Sequence, residues 1–383
     1  MPSIITREFG VIALLSCIYS AVPSESITSS KPSIQRVASL HTPRSAHTAT
    51  TLRSGQVLIV GGMTSGGSAL SSVELFDPST NSSQDLSDLS ARRTGHTATL
   101  LADGRVLIAG GYDGEYLASL EVFDPATRRF APAGSLMVAR SGQTATLLPD
   151  GRVLFVGGVG TGWTFLASAE IYDPSLGKSK LVGSMRAARE SHTATMLPDG
   201  RVLIVGGHSG RRPNQVAYSS AEVFSPDTRR FSPAGDLATP RHKHDAIALP
   251  DGRVLVIGGA DRTDRVHFAT TEVYDPRAAT FEPGPAMKNP RYKIAGTSVL
   301  LPTGDVLVTS GARSAEVLRR GSSAFTEIHG QFPDAYRFAA AALLPGGDVV
   351  ISGGYSDANE NASGVWRFRS AALMSAALLP EHR

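Results

Sequence analysis

Seven arginines stand at one recurring place along this 383-residue chain: Arg44, Arg93, Arg140, Arg189, Arg241, Arg291 and Arg337. Guanidinium pairs well with carboxylate and phosphate, so seven of them brought together would suit an anionic ligand. A second series answers them. Glu74, Glu121, Glu170, Glu222, Glu272 and Glu316 follow every arginine but the last, as a repeated internal ion pair requires. Buried arginine is rarely left unpaired, so the matched series favours internal pairing over ligand capture. Arg337 is the exception, because its repeat has no such glutamate.

His47, His96, His192 and His244 follow their arginines by three positions. They fall one to a repeat, with Gln143 interrupting the series, so convergence on one metal ion is not expected. Hydrogen bonding to a neighbouring repeat is. Asp261 and Asp264 are spaced to hold a cation in a loop, but Arg262 and Arg265 interleave with them, and a solvated charged loop is the simpler expectation. Glu115, Asp261 and Glu360 are acid–base candidates that no spacing selects. The single cysteine, Cys17, excludes an internal disulfide and a thiolate zinc site. Neither a metal nor a cofactor is expected.

What must position these residues is a repeat of ~50 residues, present seven times. Gly-Gly pairs fall at Gly61, Gly110, Gly157, Gly206, Gly258 and Gly353, with Ser310-Gly311 in the sixth repeat. About ten residues before each lies a turn such as Asp103-Gly104 or Asp199-Gly200, where glycine supplies the positive φ of a tight hairpin. Each repeat reads as four strands. In the second, strand a is His96 to Leu101 and strand b is Arg105 to Ala109. Strand c is Leu120 to Phe123, ended by Asp124-Pro125, and a short strand d holds Phe130, Pro132 and Leu136. Strand b is apolar on both faces, as a strand sandwiched between sheets must be. No such sheet buries two faces alone, so the sheets must stack around an axis.

The pattern resembles the kelch family, of the bacterial Leu-Pro-Asp-Gly-Arg-Val-Leu type seen at Leu148 to Leu154 and Leu197 to Leu203. It is similar to the kelch domain of galactose-oxidase-like proteins, over roughly residues 34–368. It departs in having Phe130, Phe231 and Phe281 where the family's strand d commonly has Trp. The resemblance implies an all-β, seven-bladed propeller with four antiparallel strands per blade. Leu40 stands at the strand-d offset with no blade of its own upstream. The segment Ile34 to Leu40 is therefore expected to close the ring against Val365 to Phe368. Ser370 to Arg383 is left as an extra strand or short helix. The copper site that the resemblance brings to mind needs two Tyr, two His and a Cys bonded to one Tyr. That chemistry is not expected here, with the only Cys in the leader.

Antiparallel strands put the d–a and b–c loops on one face and the tight a–b and c–d turns on the other. Variation in length and chemistry falls on the first face, where binding residues usually sit. Its b–c loops carry Tyr112, Trp163, Arg211 and Asp261, and the arginines should ring its channel mouth. Residues 1–30 read separately. Arg7, an apolar run from Phe9 to Ser16 and a Ser-rich stretch follow the order of an export signal. Leu14-Leu15-Ser16-Cys17 resembles a lipobox, so Cys17 is either lipidated or removed with the leader. Residues 31–383 form the propeller. Net charge is only +3, which gives no case for nucleic acid. No segment after residue 30 is long and apolar enough to span a membrane, leaving a lipid anchor as the one membrane contact. The sequence thus reads as an exported, monomeric, non-enzymatic scaffold for a protein, peptide or glycan, with an anionic ligand suggested by arginine use in kelch adaptors. The alternative is a sugar epimerase or mutarotase on the same ring.

Overall fold

The computed structural model describes residues 32–370. It contains seven four-stranded antiparallel sheets, each ordered a-b-c-d from the axis outward. Blade 2 is typical: Thr97–Leu100, Val106–Ala109, Ser119–Asp124 and Arg129–Ser135. The a strands of successive blades neighbour one another all the way round, and that of blade 7 (Ala340–Leu343) reaches that of blade 1 (Thr48–Thr51). The fold is a seven-bladed propeller.

Burial follows the sequence pattern. Every residue of strand b is buried in each blade, as in Val57–Val60 and Val254–Ile257. Apolar side chains of one blade meet those of the next. Leu58, Val60 and Leu75 of blade 1 pack on Val106, Ile108 and Phe123 of blade 2, and one such cluster fills each of the seven junctions. Burying each Val, Leu, Ile or Phe contributes roughly 1.5–3 kcal/mol, so the junctions rather than single sheets hold the ring together.

The N-terminal strand closes the ring as expected. Ile34–Ser39 pairs antiparallel with Gly364–Phe368, from Ile34 opposite Phe368 to Ser39 opposite Gly364. The last blade therefore takes its outer strand from one end of the described chain and its inner three from the other. The leader with Cys17 and the tail 371–383 lie outside the described residues.

Two details differ from the sequence reading. Strand a begins one residue later, so His96 precedes it and faces the channel region. Blades 3 and 4 each insert a small extra hairpin in the b–c loop, Val159–Gly160 with Thr164–Phe165 and His208–Ser209 with Val216–Ala217. The Gly-Gly pair explains itself sterically. A Cβ on Gly206 would lie 2.5 Å from the carbonyl oxygen of Arg241, at φ +61°. Only glycine lets the next blade's backbone approach this closely.

Candidate functional site

Six of the seven arginines are wholly buried, each with a relative exposure of 0%. Arg140 shows the common geometry. Its Nη1 donates to the carbonyls of Gly157 at 2.8 Å and Ser168 at 3.1 Å, and its Nη2 donates to Glu170 Oε1 at 2.8 Å. The second oxygen of Glu170 accepts the N–H of Met137, on the crossover from blade 2. The same pair recurs as Arg44–Glu74, Arg93–Glu121, Arg189–Glu222, Arg241–Glu272 and Arg291–Glu316, at 2.6–3.2 Å. Burial lowers the pKa of each guanidinium, and the glutamate offsets it. These six do not ring the mouth. They sit behind the Gly pairs and tie strand b, strand c and the incoming crossover together, with both terminal nitrogens of each guanidinium spent inside the blade.

The seventh arginine is out of register. In five blades the arginine bonds the glycine carbonyl 17 residues ahead. In blade 7 the residue 17 before Gly353 is Tyr336, and Arg337 comes one later. Backbone pairing agrees: Gly311 N–H donates to Tyr336 O, as Gly259 N–H does to Arg291 O. Opposite Tyr336, the glutamate position of strand c is Trp366, with ring centroids 5.2 Å apart. An aromatic pair thus replaces the ion pair. Arg337 is freed to point at the loop face, where it meets Asp357 at 2.5 Å and lies over the Tyr292 ring.

The four histidines stitch neighbouring blades. Nε2 of His96 shares a hydrogen bond with Thr48 Oγ1 at 3.2 Å, His192 with Thr144, His244 with Thr193, and His47 with Ser352. Gln143 does the same work by donating to Ala109 O at 2.9 Å. Burial first, then the neighbouring arginines, push His47, His96 and His192 down to about 3, and His244 well below its usual value. They are neutral, and each bonds a different blade.

Above them lies a collar of residues with φ between 50° and 65°: Ala46, Gly95, Gly142, Ser191, Lys243, Lys293 and Phe338. Backbone N–H groups of this collar donate blade to blade: Lys243 to Ser191, Lys293 to Lys243, Phe338 to Lys293 and Ala46 to Phe338, at 2.8–3.0 Å. The collar surrounds a mouth of about 710 Å³, within the size range of small-ligand sites. Its chemistry is lopsided. Blades 1 to 3 contribute the small neutral residues Ser45, Thr94 and Ser141 beside the collar, whereas blades 4 to 7 contribute Glu190, His242, Tyr292 and Arg337.

On the charged side, Asp264 accepts from Lys243 Nζ at 2.7 Å and from exposed Arg212 at 2.9 Å. Burial would raise the pKa of Asp264, but hydrogen bonds from His242 and Lys243 outweigh it and hold it far below the usual range. Burial lowers the Lys243 ammonium. Lys293 donates to Tyr355 Oη and lies against the rings of Tyr292, Phe338 and Tyr355. Glu190, 29% exposed, makes no side-chain hydrogen bond among the described residues, and burial raises it to about 7.

The sequence-selected loop residues divide. Tyr112 and Trp163 line the mouth with Tyr116, and Arg211 stacks on Trp163 at 3.7 Å. Asp261 closes its own loop by accepting from Thr263, Arg265 and Val266, so it forms no cation pair with Asp264. Glu115 and Glu360 are exposed loop carboxylates. Glu190, Lys243 and Lys293 were missed. Their signal was available: they break the repeat just after their arginines, as in Arg189-Glu190 and Arg241-His242-Lys243.

The model of the kelch motif matches residues 43–90 and 92–137, the first two repeats. No curated protein matches the chain. The same construction recurs through all seven blades, so the chain is a seven-bladed β-propeller whose first two repeats are similar to the kelch motif.

Proposed function

We propose that this protein is an exported, non-enzymatic binding scaffold that presents its loop face and central mouth to a protein, peptide or glycan ligand bearing negative charge. One observation carries the reading. The blades repeat their buried parts closely, yet the residues beside the collar change from small and neutral in blades 1 to 3 to Glu190, His242, Tyr292 and Arg337 in blades 4 to 7. Architecture alone has no use for that asymmetry, and the fold leaves function to such sites.

The test compares three forms of the full chain for capture of a partner from an envelope extract. One is unmodified. A second carries Lys243→Met, Lys293→Met and Arg337→Met on the loop face. The third carries Arg129→Met, Lys178→Met and Arg230→Met near the turn face. Capture that salt reverses is expected for the first and third and at least tenfold weaker for the second. Equal capture by all three overturns the proposal.

Glu190 supports a second reading, the sugar epimerase or mutarotase. A carboxyl poised near 7 in the wall of a mouth suits proton exchange at an anomeric hydroxyl. On that reading, anomer exchange of a free aldose followed by NMR rises with protein and falls at least tenfold in Glu190→Gln. Exchange that ignores the protein removes the enzyme reading.

A further inference from the structure

The mouth is lined by charge of one sign. Glu190 and Asp245 are the carboxyl groups in its wall, and Lys243, Lys293 and Arg337 lie outside it. His47, His96 and His192 also line it, and burial keeps them neutral at pH 7. Asp245 is buried and committed, accepting the backbone N–H groups of Ala246, Thr297 and Ser298 at 2.7–3.0 Å. Glu190 is not committed. Among the described residues its carboxyl accepts no hydrogen bond, and His208 Nε2 stands off at 3.9 Å. It reaches across the blade boundary to lie over Gly142 of the collar, where an added Cβ would come within 2.7 Å of its Oε1. The titratable groups that face it are Tyr116 of blade 2, His208 of the inserted hairpin in blade 4 and Lys243 of blade 5. Lys243 is already held by Asp264 at 2.7 Å.

Beside this carboxyl stand three aromatic rings. Tyr112 and Tyr116, from the b–c loop of blade 2, lie 5.1 Å apart, and Trp163 of blade 3 meets Tyr116 edge-on at 6.3 Å. All three line the same cavity as Glu190. Burial and then the Glu190 charge raise the pKa of the Tyr116 phenol, so carboxyl and ring are close neighbours. Trp163 sits at φ +61° in the short turn of the inserted hairpin, a strained position for a bulky L-residue. No core contact accounts for it, since Trp163 is 52% exposed even with Arg211 across its ring.

We infer that the mouth binds a small molecule carrying an alkylated ammonium group, which seats against Tyr112, Tyr116 and Trp163 with Glu190 as its counter-charge. The negative faces of aromatic rings attract a cation, and Trp does so best. Arg211 already exploits this at 3.7 Å from the Trp163 ring centre. A primary ammonium brings three N–H donors that rings satisfy poorly, whereas a fully alkylated nitrogen brings none. A cavity of about 710 Å³ suits a small ligand. The inference goes beyond the scaffold reading. Negative charge on the scaffold's ligand is met by Lys243, Lys293 and Arg337 outside the mouth, and the mouth itself takes the opposite charge.

The experiment is calorimetric titration of the full chain with choline, with ethanolamine, and with 3,3-dimethyl-1-butanol, the neutral isostere of choline. At pH 8 choline is expected to bind at least tenfold more tightly than either of the others, a difference of about 1.4 kcal/mol. Its affinity should rise several-fold from pH 6 to pH 8, as the Glu190 carboxyl near 7 loses its proton and gains the charge that a cation favours. Glu190→Gln should weaken choline about tenfold, flatten that pH profile and leave the neutral alcohol unchanged. Trp163→Leu should weaken choline about tenfold at every pH. Thermal unfolding of each variant verifies folding, and Tyr116→Leu stands in for Trp163→Leu if the latter is unfolded. Equal binding of choline and the alcohol overturns the inference, as does tighter binding of ethanolamine, or choline binding that neither substitution changes. Absence of choline binding overturns it too and leaves the scaffold reading standing, because extract capture is read separately through Lys243, Lys293 and Arg337.

Discussion

Replacing Arg140 by Met is expected to destabilise the propeller by about 3–5 kcal/mol, the usual cost of leaving a buried carboxylate without its partner. Glu170 has no exposure to offer in return and would keep only the N–H of Met137. Four further acceptors, the carbonyls of Val138, Gly157 and Ser168 and the Ser168 hydroxyl, lose this donor as well. The informative comparison is the double variant Arg140→Met with Glu170→Leu. Two apolar side chains of similar volume remove the charge problem, and such replacements are often neutral or better. The protein already contains the precedent, because blade 7 puts Tyr336 and Trp366 in these two positions. Denaturant midpoints for the single and double variants decide the matter. The double should recover most of the loss. If it is as unstable as the single, the pair is worth more than charge cancellation, and the arginine's links to the carbonyls carry the blade.

Acid should unfold the protein early, because of its four interblade histidines. Their folded pKa values are depressed: about 3 for His47, His96 and His192, and well below the usual value for His244. The unfolded chain binds protons near pH 6.5, which the folded chain refuses. Stability is therefore complete above about pH 6.5 and is lost as the pH falls from there towards 3. The slope is up to ~1.4 kcal/mol per pH unit for each histidine. Four together are worth several kcal/mol by pH 5, before most carboxylates titrate. Gln143 marks the remedy, since it bridges blades through an amide that does not titrate in this range. Changing all four histidines to Gln should shift the acid midpoint down by at least one pH unit and leave stability at pH 8 within ~2 kcal/mol per site. Flat stability between pH 7 and 5 in the parent protein would contradict this account.

The ring was legible in sequence because its constraints are local and recur. Asp-Gly turns, Gly pairs and fully apolar b strands each report a backbone or burial requirement that few residues satisfy. Leu40 gave away the closure, since its offset calls for a blade that does not precede it. The arginine–glutamate pairing was legible from matched spacing. Arg337 misled because residue type was matched ahead of register. Counting back 17 from Gly353 lands on Tyr336, whose partner Trp366 replaces the missing glutamate. Glu190, Lys243 and Lys293 were hidden for a related reason. A repeat directs the eye to what recurs, whereas the mouth is made distinctive by what does not. Convergence of single residues from four blades depends on the collar geometry, which no single repeat spells out.

The pairing of Ile34–Ser39 with Gly364–Phe368 also imposes an order of events. During synthesis Ile34–Ser39 is made before the inner strands of all seven blades and its partner Gly364–Phe368 after them. Until then the inner face of blade 1, with Val57, Ile59 and Phe76, lacks the blade that covers it. Blades can form one after another as they leave the ribosome, but the circle shuts once, at the finish. The nascent chain therefore carries a sticky face and an idle strand while all seven blades are being made.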